Sequence, residues 1–389
     1  MERKCIICAS SNLEKLKTTK CEVFVTGDRK RFDRTGYHLE KRICRKCGTV
    51  QFDQNQDYQK AVQEIYKNYE IMHDKMWSVD NKENKPRLRV EYERIAKTFQ
   101  LPETGNMLDL GCGGGESLFQ FNRLYPEWNL YGMDIGEHFA ESVTEVKSVK
   151  AFFSSLKEVE NAGVKFDLIT INNTLSLANN PAQILKCVYN CLVEDGIFVI
   201  KDADFEVHPW ILYELESSAF YTQKHMENII KKFGFEVLDL DFELEPKEIG
   251  VFCKKRNVLQ KLEENAYALN KAIYDKKIEY LDSVIDTVEK YIRRNRNIGI
   301  FGTSIAGVWL SEIITSQGLA RSGTNIFYID EDEDSLQRKM RGENGYPIYR
   351  PGEVLESAVV FLPFPRYIAD HIKERCEKRY VNLKFVVFE

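Results

Sequence analysis

The stretch Asn106-Met-Leu-Asp-Leu-Gly-Cys-Gly-Gly-Gly-Glu116 constrains this chain more than any other. Met107, Leu108 and Leu110 specify a short buried strand, the glycines a turn that only glycine follows closely, and Ser117–Leu124 a helix beyond it. Such a turn brings backbone N–H groups close to a ligand. The following segments repeat the theme: Leu130–Asp134, Lys165–Asn172 and Gly196–Lys201 read as strands, with a helix over Pro181–Leu192. Phe233–Asp241 then reads as the antiparallel hairpin strand that completes the unit. Strand, helix and strand in this order predict a doubly wound α/β sheet, which takes ligands in the crevice beyond the carboxyl ends of its strands.

Two acids frame the turn. Asp109 precedes the glycines and Asp134 closes the next strand. A dinucleotide fold uses the same glycines for a pyrophosphate. Asp109, Gly111, Gly113, Gly115 and Asp134 together resemble instead the D-x-G-x-G-x-G pattern of proteins that bind S-adenosylmethionine (SAM). In that pattern the first acid supports the methionine end and the acid closing the second strand accepts hydrogen bonds from the ribose hydroxyls. Cys112, Ile135 and Asn172 complete the candidate cofactor-binding set. Asn172 and Asn173, at the end of a strand, point towards the crevice or form a turn.

Ten cysteines bear on the N-terminal part. No apolar run is long enough to span a membrane, and the N-terminus lacks the apolar core of a signal peptide, so a cytoplasmic location is expected. The cysteines are then thiols or metal ligands rather than a disulfide framework. Cys5-x2-Cys8 and Cys44-x2-Cys47 form two knuckles that can wrap one tetrahedral Zn2+. Four thiolates leave no open position, so the site is structural and lends folding energy to a segment too short to fold alone. Cys21, between the knuckles, reads as a small buried hydrophobe.

A formal charge of −5 and a pI near 5.9 disfavour a polyanionic partner such as RNA. Basic groups gather at Lys15–Arg31 and at Arg42, Arg45 and Lys46, but Glu22 and Asp28 are interspersed, as on a solvated face.

Asp57–Gln100 reads as helices, broken at Asn81–Pro86, that cover one end of the cofactor site. Asp202–Tyr221 is dense in ionisable groups, and its candidates for catalysis are His208, Tyr213, Glu216 and Tyr221, with Glu214 beside them. The alternative is an amphipathic helix, Pro209–Ala219, whose acids face water. Residues 256–296 read as a charged helical pair with one buried face. A new α/β unit follows, with strands in Asn297–Phe301, Asn325–Asp330 and Val359–Pro363, a glycine turn at Gly302–Gly307 and a solvated acidic run at Asp330–Asp334. The expected organisation is a zinc-binding module (1–55), a SAM-binding domain with a helical lead-in (56–255), connecting helices (256–296) and a Rossmann-like domain (297–389).

The paired knuckles, the Asp109–Gly115 motif and the Gly302-x4-Gly307 turn resemble the sugar C-methyltransferases that build branched deoxysugars on nucleotide carriers. Tyr328-Ile-Asp330, Gly345–Pro351 and Phe361-Leu-Pro363 extend the likeness to the C-terminal part, so it spans nearly the whole chain. The resemblance implies a SAM-dependent methyltransferase acting on a small molecule, a nucleotide-linked sugar, held between the central and C-terminal domains. It fails at the catalytic histidines. The family's tyrosine-histidine-glutamate-histidine run falls in Tyr213-Glu-Leu-Glu-Ser-Ser-Ala-Phe-Tyr221, which has no histidine; Glu216 aligns with the family's glutamate or with its second histidine, depending on whether one residue is inserted, and Leu177 stands where the loop after strand four carries another histidine. Glu216 or His208 must then take the proton, and an oxygen or nitrogen acceptor is as credible as carbon. The missing histidines also admit a catalytically silent SAM-binding subunit that supports a partner enzyme. The oligomeric state is not written in these motifs.

Overall fold

The computed structural model describes residues 3–67, 86–240, 247–256, 265–331 and 345–388. The N-terminal part is built from β1 (Leu13–Lys15), β2 (Phe24–Val25), β3 (Arg31–Phe32), β4 (Lys41–Cys44) and β5 (Val50–Phe52). β2 and β3 pair as a hairpin, while β1, β4 and β5 form an antiparallel sheet. Helices α1 (Gln56–Lys67) and α2 (Arg87–Phe99) follow. The expected break between them falls largely outside the described residues, although Pro86 does open α2.

The central sheet alternates as the sequence predicts: β6 (Asn106–Leu110), α3 (Glu116–Asn122), β7 (Asn129–Met133), α4 (Ala140–Glu145), β8 (Val149–Phe153), α5 (Leu156–Asn161), β9 (Phe166–Asn172), α6 (Pro181–Cys191) and β10 (Leu192–Ala203). After a short strand β11 (Ala219–Phe220) and helix α7 (Gln223–Lys232), the hairpin of β12 (Phe235–Leu240) and β13 (Glu248–Lys255) closes it. Strand order is β12-β13-β10-β9-β6-β7-β8, parallel from β10 to β8. Period-two side-chain alternation fills both faces. Met107, Leu168, Ile197 and Val199 face α2 and α3, packing with Tyr92, Leu118, Phe121 and Trp128. Leu108, Ile169, Phe198 and Ile200 face the other way, into a core with Leu185, Val188 and Ile229 of α6 and α7. Some helix starts carry side-chain caps: Asn180, followed by Pro181, accepts from the Gln183 N–H, and Thr222 from the His225 N–H.

One helix, α8 (Ala266–Ile292), occupies most of the expected connecting region; residues 257–264 of the predicted pair lie outside the described residues. Beyond it come β14 (Asn297–Phe301), α9 (Ile305–Ser316), β15 (Asn325–Ile329), β16 (Ile348–Tyr349), β17 (Ala358–Leu362), α10 (Arg366–Glu377) and β18 (Leu383–Val387). These strands form a parallel sheet in the order β16-β15-β14-β17-β18. Most of the acidic run, Asp332–Asp334, lies outside the described residues, and Asp330 accepts a hydrogen bond from Thr303 Oγ1 at 3.2 Å.

The N-terminal strands share their packing with the rest of the chain. β5 pairs with β11, and Phe24, Ile43 and Phe52 share one core with Leu281 and Ile285 of α8 and Trp309 of α9. The basic groups near the N-terminus meet carboxylates on a largely exposed face: Lys17 meets Glu279 of α8 at 2.8 Å, Arg45 meets Glu14 at 2.7 Å and Lys20 pairs with Asp286 of α8, while the more buried Arg42 meets Asp53 at 3.0 Å. No described helix is long and apolar enough to cross a membrane.

The alternative amphipathic helix over Pro209–Ala219 is corrected. Only Pro209–Tyr213 forms a short 3-10 turn; Glu214 then bridges Val25, and the chain reaches β11 through a turn at Leu215–Glu216 and a bend at Ser218. Pairing of β11 with β5 commits this backbone to a sheet, and the acids turn inward to protein donors.

Candidate functional site

The glycine turn sits between β6 and α3. The N–H groups of Gly111 and Cys112 donate to the Met133 carbonyl at 2.7 and 3.1 Å, fixing the turn to the end of β7. The glycines answer different needs. Gly111 has φ +79°, and a Cβ there would lie 2.1 Å from Thr174 Oγ1. At Gly113, φ is +48° and nothing lies within 4 Å of a Cβ position, so its backbone borders open space. Asp134 is held on both oxygens, by the Gly113 N–H at 3.0 Å and the Gly136 N–H at 2.8 Å. Ile135 beside it is 75% exposed, an apolar surface next to a fixed carboxylate.

Asp109 lies beneath, buried, and accepts from Thr170 Oγ1 at 2.6 Å; burial raises its carboxyl to about 6. Cys112 is buried too, and its thiol is pushed up by desolvation. At the carboxyl end of β9, the Asn172 side chain has a buried amide nitrogen and a buried carbonyl oxygen with no hydrogen-bond partner among the described residues. Unpaired buried amides are costly. A polar ligand over the glycine turn would satisfy this one. Open space at Gly113, a preset Asp134 and the unpartnered Asn172 amide fit SAM.

The helical lead-in is fastened to this site by charge. Lys201, on β10, donates to Glu91 of α2 at 2.9 Å and lies 3.7 Å from Glu248, which also pairs with Arg87 of α2. All four are buried. Tyr92 of α2 shares a hydrogen bond with Ser117 at the start of α3. Sequence reading gave no sign of this network, because Lys201 and Glu91 are 110 positions apart.

The four candidates for catalysis separate. Glu216 is 2% exposed; its Oε1 accepts from the Gly27 N–H at 2.7 Å, and its Oε2 is buried without a partner among the described residues. Burial, then the neighbouring Glu214, raises it to about 8. Tyr213 points away from Glu216. Its hydroxyl accepts from the Thr19 N–H at 3.0 Å and shares a 2.6 Å hydrogen bond with Thr19 Oγ1, while its ring lies 4.4 Å from the buried Lys41 ammonium, which burial lowers to about 7. His208 lies beside Lys247 and Glu248, and burial lowers it to about 3. Tyr221 is fully buried near Asp202, Cys5 and Cys47, with no partner for its hydroxyl.

Around Glu216 the structure gathers residues that the sequence had not marked. Tyr58 of α1 donates to the Glu216 carbonyl at 3.4 Å, and Ser218 Oγ lies 3.2 Å from Asn179 Oδ1 in the loop after β9. Tyr66 of α1 is 41% exposed as a residue, and local desolvation, then the charges of Glu216, Glu214 and Asp134, raises its phenol. One phenol thus stands within electrostatic reach of both the buried acids and the cofactor's acid. No local motif could have marked Gly27, Tyr58 and Tyr66, because they come from the N-terminal strands and α1.

The cysteine knuckles do converge. All four sulfurs lie within 4.8 Å of one another, with Cys5–Cys47 at 3.5 Å and Cys8–Cys44 at 3.6 Å. A tetrahedron with zinc–sulfur bonds of about 2.3 Å has edges of about 3.8 Å, so the thiols fit zinc. The cluster is keyed into its surroundings. Cys47 Sγ lies 3.1 Å from Thr49 Oγ1, which lies 3.1 Å from His225 Nε2 on α7, and a Cβ on Gly48 would meet the Ala266 carbonyl of α8 at 2.5 Å.

Residues 102–266 match a family model described as a methyltransferase domain. Malonyl-[acyl-carrier protein] O-methyltransferase of Bacillus cereus is 26% identical over 161 residues, 41% of this chain and 56% of that protein. Carboxy-S-adenosyl-L-methionine synthase of Campylobacter concisus is 31% identical over 109 residues, 26% of this chain and 46% of that protein. The chain thus spans about half the length of these curated relatives. Among solved structures, a SAM-dependent methyltransferase from Clostridium acetobutylicum aligns over 51% of this chain and 99% of its own, at 15% identity and a TM-score of 0.37. The family match falls on the residues that build the glycine turn, the acid-closed second strand and the final hairpin, and this part of the chain is a SAM-dependent methyltransferase domain.

Proposed function

We propose that the chain transfers a methyl group from SAM to a small acceptor, a nucleotide-linked sugar or related glycoconjugate precursor, with Glu216 accepting the proton. When bound, SAM supplies a methyl group made electrophilic by its sulfonium. Gly113, Asp134, Ile135 and Asn172 would hold it, with Asp109 bracing the turn from below. The observation that carries the reading is the buried, half-satisfied Glu216 carboxyl, whose value of about 8 lies close to a cell's pH, where a general base is most effective. At about 3, His208 is too weak a base for that role, and the Tyr213 hydroxyl is already committed to Thr19.

Under this reading residues 1–55 hold a structural zinc ion on Cys5, Cys8, Cys44 and Cys47, residues 56–255 carry the chemistry, and 256–296 and 297–389 close the acceptor site from behind. The setting is cytoplasmic. The test is titration of SAM into the purified protein, followed by nucleotide sugars screened by mass spectrometry for a gain of one methyl mass. A methylated sugar supports the reading. Tight SAM binding with no product from any nucleotide sugar overturns it in favour of the silent SAM-binding subunit.

A further inference from the structure

Glu214 and Glu216 lie two positions apart where the chain turns towards β11, and both residues are buried, at 9% and 2% exposure. Glu214 accepts from Ser217 Oγ at 2.6 Å, and Glu216 Oε1 accepts from the Gly27 N–H at 2.7 Å. Among the described residues neither forms an ion pair. The charges that act on them are carboxylates: Glu214 and Asp28 on Glu216, and Asp202 on Glu214. Asp28 is occupied by Lys30 at 2.6 Å. Burial and this repulsion raise Glu214 to about 7 and Glu216 to about 8, so the pair titrates as a unit and is partly ionised near neutrality.

A buried carboxylate oxygen without a donor is stabilised by a ligand that brings one, most of all by a cationic one. Glu216 Oε2 is such an oxygen. The pair also stands near the cofactor turn. Tyr66 feels Glu216, Glu214 and Asp134 together, and the Ala219 N–H donates to the Ser176 carbonyl at 3.1 Å, in the loop that follows Asn172. A hydroxyl or carbon acceptor would bring no charge to relieve the repulsion. A diphosphate here would add to it, which directs the carrier nucleotide elsewhere. An alkylammonium brings both the missing donor and the missing positive charge.

Building on the SAM-dependent reading above, we propose that the methyl acceptor is the amine of an amino sugar, bound at Glu216 Oε2 with Glu214 behind it. The ammonium gives one proton to the Glu216 carboxylate and becomes a neutral amine. Its freed lone pair forms the nitrogen–carbon bond to the methyl group as the methyl carbon–sulfur bond breaks. The bonding pair stays on sulfur, leaving a neutral thioether, and the methylated nitrogen carries the positive charge. The Tyr58 hydroxyl, which meets the Glu216 carbonyl at 3.4 Å, stands beside this exchange.

The experiment is calorimetry near neutral pH on full-length protein holding S-adenosylhomocysteine. The probes are nucleoside diphosphate sugars with a free amine replacing one ring hydroxyl, each beside its hydroxyl counterpart and its N-acetyl form. At least one amino sugar is expected to bind about tenfold or more tightly than both relatives, and the preference to fall within about twofold in Glu216→Gln. The variant's unchanged affinity for S-adenosylhomocysteine shows that its fold is intact. With SAM in place, the same amino sugar should gain its methyl on nitrogen. Equal binding of amine, hydroxyl and acetyl forms, or a preference that survives in Glu216→Gln, overturns the inference while leaving the SAM and sugar reading standing. Failure of every sugar nucleotide to bind overturns both.

Discussion

Replacing Glu216 by glutamine should stabilise the protein while removing its activity, and the size of the gain should depend on pH. The carboxyl is raised from its ordinary 4.5 to about 8 in the folded chain by burial, then by Glu214 and Asp28. Tyr66 of α1 also faces it, and the Tyr58 hydroxyl meets its backbone carbonyl. A folded state that holds this proton more tightly than the unfolded chain loses stability as pH rises from 4.5 to about 8, with no further change outside that window. Each unit of pH across the window costs about 1.4 kcal/mol. The wild type therefore carries a penalty of about 3 kcal/mol at pH 7 and about 5 kcal/mol above pH 8. Glutamine keeps the shape and an oxygen for the Gly27 N–H, but has no proton to lose. Urea unfolding of both proteins should show little difference near pH 4.5 and a widening advantage for the variant up to pH 8. A difference that does not vary with pH, or a variant less stable at pH 7, would refute the argument that burial and like charge set this carboxyl.

Other perturbations test the remaining parts of the site. Asp134→Ala removes the acceptor for two backbone N–H groups and the carboxylate offered to the cofactor, so SAM affinity should fall at least about tenfold; unchanged affinity by calorimetry would sink the assignment of the cofactor acid. Lys201→Met leaves Glu91 without its cation and Glu248 with Arg87 alone, and should cost about 3–5 kcal/mol in urea unfolding, whereas a loss below about 1 kcal/mol would mean that the network is solvated. Metal analysis should find one zinc per chain and none in Cys44→Ser. Because a structural zinc contributes about 10 kcal/mol of apparent binding energy, that variant should also open the first 55 residues to protease, and full metal content would disprove the four-thiolate site.

The glycine turn was legible because it is a local requirement. Eleven consecutive residues state a strand, positive-φ positions and a helix start, and Gly111 and Gly113 do adopt φ values open chiefly to glycine. The parallel strands were equally plain, since apolar runs at β9 and β10 can only be buried on both faces. The knuckle spacing pointed to the four-cysteine cluster in the same way.

Side chains whose environment comes from distant segments were harder to read. Tyr213-Glu-Leu-Glu216 alternates acids with apolar residues, a pattern that also suits acids facing water. Pairing of β5 with β11 decided otherwise, because it brought the Gly27 loop and α1 over both carboxylates. Tyr213, His208 and Tyr221 shared a short stretch of sequence with Glu216, yet packing sends the first to Thr19, the second to Glu248 and the third to the cysteine cluster. Sequence alone determined the sheet, the glycine turn and the cysteine cluster, because backbone geometry and CxxC spacing act within a few residues. Tertiary structure decided which acid is buried with an oxygen to spare, because desolvation and charge repulsion depend on what lies overhead, and here that comes from strands and a helix some 150 or more positions away.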